Sequence, residues 1–442
     1  MDENELMGSM KVSKAVAKMA IPSVISSLVT VVYNMADTFF VGQTGDPLQV
    51  AAVSLTNPIF ILFMAFANMF GMGGSAAASM ALGEKKEKRV KQVSSFITYA
   101  SLVVGIVFAV ILLVGMQPVL QLFGADADTY ELAKGYTTYI SYGAPFIIWS
   151  AAASFVVRAD GASREAMTGS MIGTVANIIL DPIFISGFGM GAAGAAIATT
   201  IGNIMASVYY LWYFCRKSRN MSMAFRYFKC GDKILSQVCS AGLPTAIFSA
   251  LMSISTIILN QILVAYGNAP VAAIGIVFKA NMFITFLQMG LANGVQPLLG
   301  YSYGAGNRER FIAVERYTKK CCLIAGVLAT ALFFFFREPI IRLFISDTEV
   351  INYGVEMLIA YMISGPVIGI LFMNMNCMQS TGNALPATIL SILRQGVLLI
   401  PVLYGLNALL GLHGVIYGQA LTDYVAVFLS IIIWRWKRRK TL

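Results

Sequence analysis

Two carboxylates stand in this chain where an apolar stretch should not need them. Asp37 lies in YNMADTFFVG (33–42), among Val, Met and Phe, and Asp181 lies in NIILDP (177–182). Each has an amide on its own helical face: Asn34 precedes Asp37 by three residues and Asn177 precedes Asp181 by four. Thr199 adds a hydroxyl from the next apolar run. Carboxylate, amide carbonyl and hydroxyl oxygens suit a hard cation such as Na+. Two neighbouring carboxylates in a low dielectric also resist being charged together, which suits proton exchange. A plainer reading stays open beside this one. Each Asp could reach up to the membrane interface, or simply join two helices through a hydrogen bond.

The elements that must position these groups are membrane-spanning helices. The 442-residue chain is 58% hydrophobic and 12% charged, with a mean hydropathy of +0.74. A soluble domain carries roughly 25% charged residues. Runs of bilayer-spanning length, about 20 residues, recur along the whole chain. An all-α integral membrane protein follows. A transmembrane barrel is excluded, because its strands read as alternating segments of about ten residues. Twelve spans are expected, at 15–41, 50–81, 92–119, 131–157, 166–187, 192–215, 236–265, 271–300, 313–336, 351–378, 386–407 and 411–434. The second and eighth are longer than a bilayer core needs, so they should tilt or project beyond it.

The net charge of +10 does not point to nucleic acid, because the basic residues fall in loops between apolar runs. Lys85, Lys86, Lys88, Arg89 and Lys91 follow span 2, Arg216 to Lys233 follow span 6, Arg308 to Lys320 follow span 8, and WRWKRRKTL ends the chain. The opposite loops 42–50, 187–191, 266–270 and 411–413 hold neither Lys nor Arg. The positive-inside rule then places both termini in the cytoplasm. The N-terminal MDENELMGSMKVSKAVAKMA lacks a short apolar region with a cleavage site, so no removable signal is expected. All six cysteines sit towards the basic side, which implies no disulfide framework. His413 stands alone in an outer loop and forms no metal site. In this topology Asp37 and Asp181 lie roughly 7–10 Å below the outer boundary, and Thr199 enters span 6 to a similar depth. Spans 1, 5 and 6 can thus bring two carboxylates, two amides and a hydroxyl together.

The chain repeats itself. Gly73 answers to Gly294, Gly83 to Gly304, Leu122 to Leu343, Pro145 to Pro366 and Gly161 to Gly382, each pair 221 positions apart. Two pseudo-symmetric six-span lobes are expected, 1–215 and 236–442, joined by a basic linker at 216–235. With an even number of spans in each, both lobes insert the same way up. Parallel repeats of this kind are typical of secondary transporters.

Other residues bear on mechanism. Pro22 in span 1 and Pro182 after Asp181 each remove a helix hydrogen bond, and serve either as hinges or as static shaping elements. Arg394 in span 11 and Asp423 in span 12 are read as a structural ion pair, whereas Lys279 in span 8 has no obvious acid. Tyr33, Tyr136, Tyr139 and Tyr142, with 24 methionines in the chain, could line a cavity for organic cations or could be ordinary packing. ADGASREA (159–166) reads as a solvated loop with a left-handed turn at Gly161. No nucleophile–base pair, metal-spaced Cys/His cluster or GxxxxGK[ST] loop appears, so neither an enzyme nor ATP coupling is indicated.

The AIP entry of span 1, YNMADTFFVG, VRADGAS (156–162), NIILDP, TGNA (381–384) and LRQGVLLIP (393–401), in this order and spacing, make a resemblance. Along essentially its full length the chain resembles the multidrug and toxic compound extrusion (MATE) family. The resemblance implies two six-helix lobes in a V, and cation-coupled antiport of organic, often cationic, compounds in exchange for H+ or Na+. It implies coupling at Asp37, Asn177, Asp181 and Thr199, with no further cofactor. Some branches carry acids in spans 7 and 10, where this chain has Asn260, Gln261, Asn374 and Asn376. That departure favours first-lobe coupling and the bacterial DinF-like and MepA-like branches, hence a bacterial plasma membrane and a monomer among lipids. The alternative is a flippase for lipid-linked saccharides on a related two-lobe fold, for which Lys279 and Arg394 speak.

Overall fold

The computed structural model describes residues 3–44 and 46–442. Among them every regular element is helical. The spans are α1 (Val12–Gly42), α2 (Pro47–Gly83), α3 (Glu87–Val114), α4 (Tyr130–Ala159), α5 (Ser163–Gly187) and α6 (Gly191–Arg216). The second half gives α7 (Ile234–Val264), α8 (Asn268–Gly304), α9 (Arg308–Phe335), α10, α11 (Ala384–Leu410) and α12 (Leu412–Thr441). Eleven of these helices are long and apolar enough to cross a membrane. The twelfth span, α10, expected at 351–378, is a pair, Thr348–Ile363 and Gly365–Ser380, bent by 44°. Pro366 stands at the start of the second segment, where its missing N–H and its ring disfavour continuation of the preceding helix.

Helices α2 and α8 are the long ones expected, 37 residues each. At 1.5 Å per residue they reach about 55 Å, well past a hydrocarbon core of about 30 Å. The third helix of each half is followed by a short one: α3 breaks at Gly115, short of its expected end at 119, before Met116–Leu122, and α9 ends at Phe335, close to its expected end at 336, before Arg337–Arg342. The fifth helix of each half carries a π turn: Ile183–Gly187 closes α5, whereas Leu393–Leu398 interrupts α11, which resumes regular winding over Leu399–Leu410.

The chain forms two compact units. Unit 1 holds Val29–Gly242 with the start of the chain, and unit 2 holds Met7–Leu28 with Leu243–Leu442. In unit 1, α4 is buried along most of its length against α2, α3 and α6, around Phe96, Trp149 and Tyr210. In unit 2, α10 packs on α8, α9 and α12, with Ile274, Met357 and Leu399 in the core.

The repeat is visible in packing as well as in sequence. A Cβ on Gly105 of α3 would lie 2.4 Å from Pro145 of α4, and one on Gly326 of α9 would lie 2.8 Å from Pro366 of α10. The same holds for Gly73 and Gly294. Gly73 of α2 lies against Val238 and Gly242 at the start of α7, inside unit 1. Gly294 of α8 lies against Met19, Ala20 and Ser23 of α1, inside unit 2. Both α1 and α7 are therefore divided between the units, at Leu28/Val29 and Gly242/Leu243.

The loop after α4 corrects one expectation. Gly161 does take a left-handed turn, with φ +86, but Asp160 beside it is only 1% exposed. Its carboxylate accepts hydrogen bonds from Tyr213 Oη (2.8 Å), Ser218 Oγ (2.6 Å) and Asn220 Nδ2 (3.0 Å). Burial still holds the carboxyl above its usual range, against the pull of those bonds. The segment is a clasp on the end of α6 rather than a solvated loop.

Candidate functional site

The site in unit 1 begins with two glycines. Gly173 of α5 and Gly202 of α6 face each other so closely that a Cβ on Gly202 would sit 2.5 Å from the Gly173 carbonyl oxygen. Small residues at a crossing let helix backbones approach in this way. About one turn on, the crossing sets Asn177 of α5 opposite Thr199 of α6. Asn177 and Thr199 are 3% and 4% exposed, and Asp181 is fully buried.

The amide of Asn177 is the link. With its Nδ2 turned to the carboxylate, it donates to Asp181 Oδ2 at 3.1 Å and accepts from the Thr199 backbone N–H at 3.0 Å and hydroxyl at 3.2 Å. That orientation satisfies every partner; the reverse would aim a carbonyl at a carboxylate. Thr199 Oγ1 lies 3.4 Å from the hydroxyl of Tyr33 on α1. A polar chain thus runs from half-buried Tyr33 through buried Thr199 and Asn177 to Asp181 across three helices.

Asp37 is half-buried on α1. Its charge acts on Asp181, Tyr33 and Tyr136, which places these four groups in one electrostatic neighbourhood. Asn34 is half-buried one turn before Asp37. Tyr136 packs from α4 beside Val41 and Ile185. Tyr139 and Tyr142 do not join them and are 37% and 58% exposed. Pro182 precedes the π turn Ile183–Gly187, an irregularity frequently found at functional sites. The donor set of this region is oxygen only, which fits a hard cation or a proton and not a soft metal.

In unit 2, Arg394 and Asp423 meet at 2.8 Å, both nearly fully buried. Three further groups surround this pair and were missed in the sequence. Gln419 Nε2 donates to Asp423 at 3.0 Å, and the guanidinium lies 5.3 Å from the ring of Phe248 and 5.7 Å from that of Phe372. Gln419 stands four residues before Asp423, so its place on the same face was there to be read. The two rings come from α7 and α10, and nothing local signals them. Lys279 is half-buried on α8, and Pro22 is buried in the part of α1 that belongs to unit 2. His413, expected to stand alone, contacts Glu356 at 2.6 Å.

Comparison with known proteins agrees with this architecture. The MatE family model matches the chain twice, at residues 22–183 and 244–404, one match per half. The multidrug export protein MepA of Staphylococcus saprophyticus is 32% identical over 422 residues, covering 96% of this chain and 93% of that protein. MepA of Staphylococcus aureus is equally similar over the same shares. Among solved structures, MATE in the straight conformation superposes with a TM-score of 0.93 at 25% identity, covering 98% of this chain and 97% of that one. MATE in the bent conformation gives 0.91 at 25% identity, covering 99% and 97%.

Proposed function

The chain belongs to the MatE family of membrane transporters, and on that premise we propose that it is a cation-coupled antiporter exporting organic, cationic amphiphilic compounds by alternating access. The staphylococcal relatives are named multidrug export proteins, and drug export is carried to this chain on their likeness. The observation that carries coupling is the polar chain Tyr33–Thr199–Asn177–Asp181 with Asp37 acting on it.

In this reading H+ or Na+ is the coupling ion and enters at Asp37 and Asp181, with Asn34 on the same face. Neutralising the carboxylates weakens the grip of Asp181 on the Asn177 amide. The change passes through Thr199 to Tyr33 on α1. Tyr33 and Tyr136 also offer ring faces to an organic cation, which the same negative charge attracts. Ion and substrate compete for one charge, and that mutual exclusion is what antiport requires. Pro22 and Pro182 provide the bends. In this reading the protein works as a monomer, without other cofactors, in a bacterial plasma membrane, and the basic loops support cytoplasmic termini.

The test is efflux of a lipophilic cationic dye from proteoliposomes under an imposed Na+ or proton gradient. One gradient should drive wild-type efflux, and Asp37→Asn and Asp181→Asn should each reduce it at least tenfold. Equal activity of both variants would remove the acids from the coupling site. A second reading, a flippase for lipid-linked saccharides, is favoured by the half-buried Lys279 and by Arg394, whose buried Nη1 has no acceptor among the described residues. Folded wild-type protein that moves no dye under either gradient, yet translocates such a lipid, would establish it instead.

A further inference from the structure

Unit 2 contains a pocket of about 400 Å³ between α9, the second segment of α10 and α12, at the end of these helices that carries the basic loops. Arg316 and Lys319 of α9 line it together with Arg435 and Arg438 of α12, against a single acid, Glu315. Glu315 is 2% exposed and already satisfied. It accepts from Lys319 Nζ at 2.6 Å, from Trp434 Nε1 at 2.7 Å and from Arg438 at 3.3 Å. Two of the four cations are therefore committed to it. Arg316 and Arg435 are not: both are exposed, and neither has an ion pair or hydrogen bond among the described residues.

Asn374 of α10 also lines the pocket and is fully buried. Its Nδ2 donates to Ser430 Oγ at 2.9 Å, while its Oδ1 receives no donor. The pocket thus offers two uncommitted guanidinium groups, above a buried polar side chain whose carbonyl oxygen has no donor among the described residues. Ile370 and Ile431 supply apolar wall between them. Beside it Trp436 is 54% exposed with Lys440 4.1 Å from its ring, the arrangement of an aromatic residue at headgroup level.

We propose that this pocket binds the phosphodiester headgroup of an anionic phospholipid, with Arg316 and Arg435 on the phosphate. Arginine pairs bidentately with phosphate oxygens, and basic pockets between membrane helices on this side of a membrane recognise anionic headgroups. A free phosphate ion would share the arginines but would leave the isoleucine wall without purpose. The inference stands on unit 2 alone and does not depend on the transport reading.

The test uses delipidated full-length protein in detergent, with lipid retention followed by native mass spectrometry and stability by thermal unfolding. Phosphatidylglycerol should be retained and raise the unfolding midpoint by several degrees. Phosphatidylcholine of the same chains, and inorganic phosphate, should do neither. Arg316→Gln/Arg435→Gln should lower phosphatidylglycerol retention at least fivefold. Lys85→Gln/Lys88→Gln, with the same loss of charge on a loop of unit 1, should leave it unchanged. Equal retention of phosphatidylcholine, equal loss in both double variants, or an equal effect of inorganic phosphate would each overturn the proposal. Arg435→Gln alone serves the same comparison should the first double variant not purify.

Discussion

At the scale of residues, the hydroxyl of Thr199 is the narrowest point of the first-unit network, because it meets both Asn177 and Tyr33. Thr199→Val keeps the shape and removes that oxygen. It should strand buried polar partners at a cost of about 1–3 kcal/mol and reduce gradient-driven efflux about tenfold, read in the dye assay beside an unfolding curve. The Arg394–Asp423 pair allows a sharper comparison. Asp423→Asn leaves a buried guanidinium uncompensated and should cost about 3 kcal/mol or more, whereas Arg394→Met/Asp423→Leu together should be much closer to neutral. Thermal unfolding of the purified proteins distinguishes the two; equal losses would mean that the pair itself, rather than its unbalanced charge, is what matters. Spacing made Asn177 legible, four before Asp181, whereas the same spacing of Gln419 before Asp423 passed unread. The clasp around Asp160 was not legible, since its donors come from residues 213–220, more than fifty positions along the chain.

At the scale of elements, the site exists because α5 and α6 cross at Gly173 and Gly202. Gly202→Val must force the helices apart, since the new side chain would meet backbone and not a movable side chain. We expect Asn177 and Thr199 to lose contact and coupling to fail even where the protein reaches the membrane at its full level, which dye efflux and membrane quantification check together. Hydropathy read the spans well because each is one continuous apolar run, and it read the long α2 and α8 correctly as longer than a bilayer. It missed the 44° bend of α10 and both π turns. These are local departures in winding, and they leave the apolar content of a run unchanged.

At the scale of the whole molecule, the repeat at a constant offset announced two similar halves, and the MatE match divides the chain in the same way. What the repeat could not show is which unit each part of α1 and α7 joins, because an apolar face carries no record of the bundle that buries it. Topology is open to a direct test through Cys215 and Cys230, both exposed near the basic linker. A membrane-impermeant maleimide should label them in inside-out vesicles and not in intact cells, and the reverse pattern would invert the proposed orientation.

The division of α1 and α7 has a consequence for ancestry. Gly294 holds the first turns of α1 in unit 2, and Gly73 holds the first turns of α7 in unit 1, so each half of the chain lends the opening turns of its first helix to the other. A six-span precursor built this way would not have closed its own core. Co-expression of the two halves as separate polypeptides should therefore rebuild the protein, while either half expressed alone should be degraded.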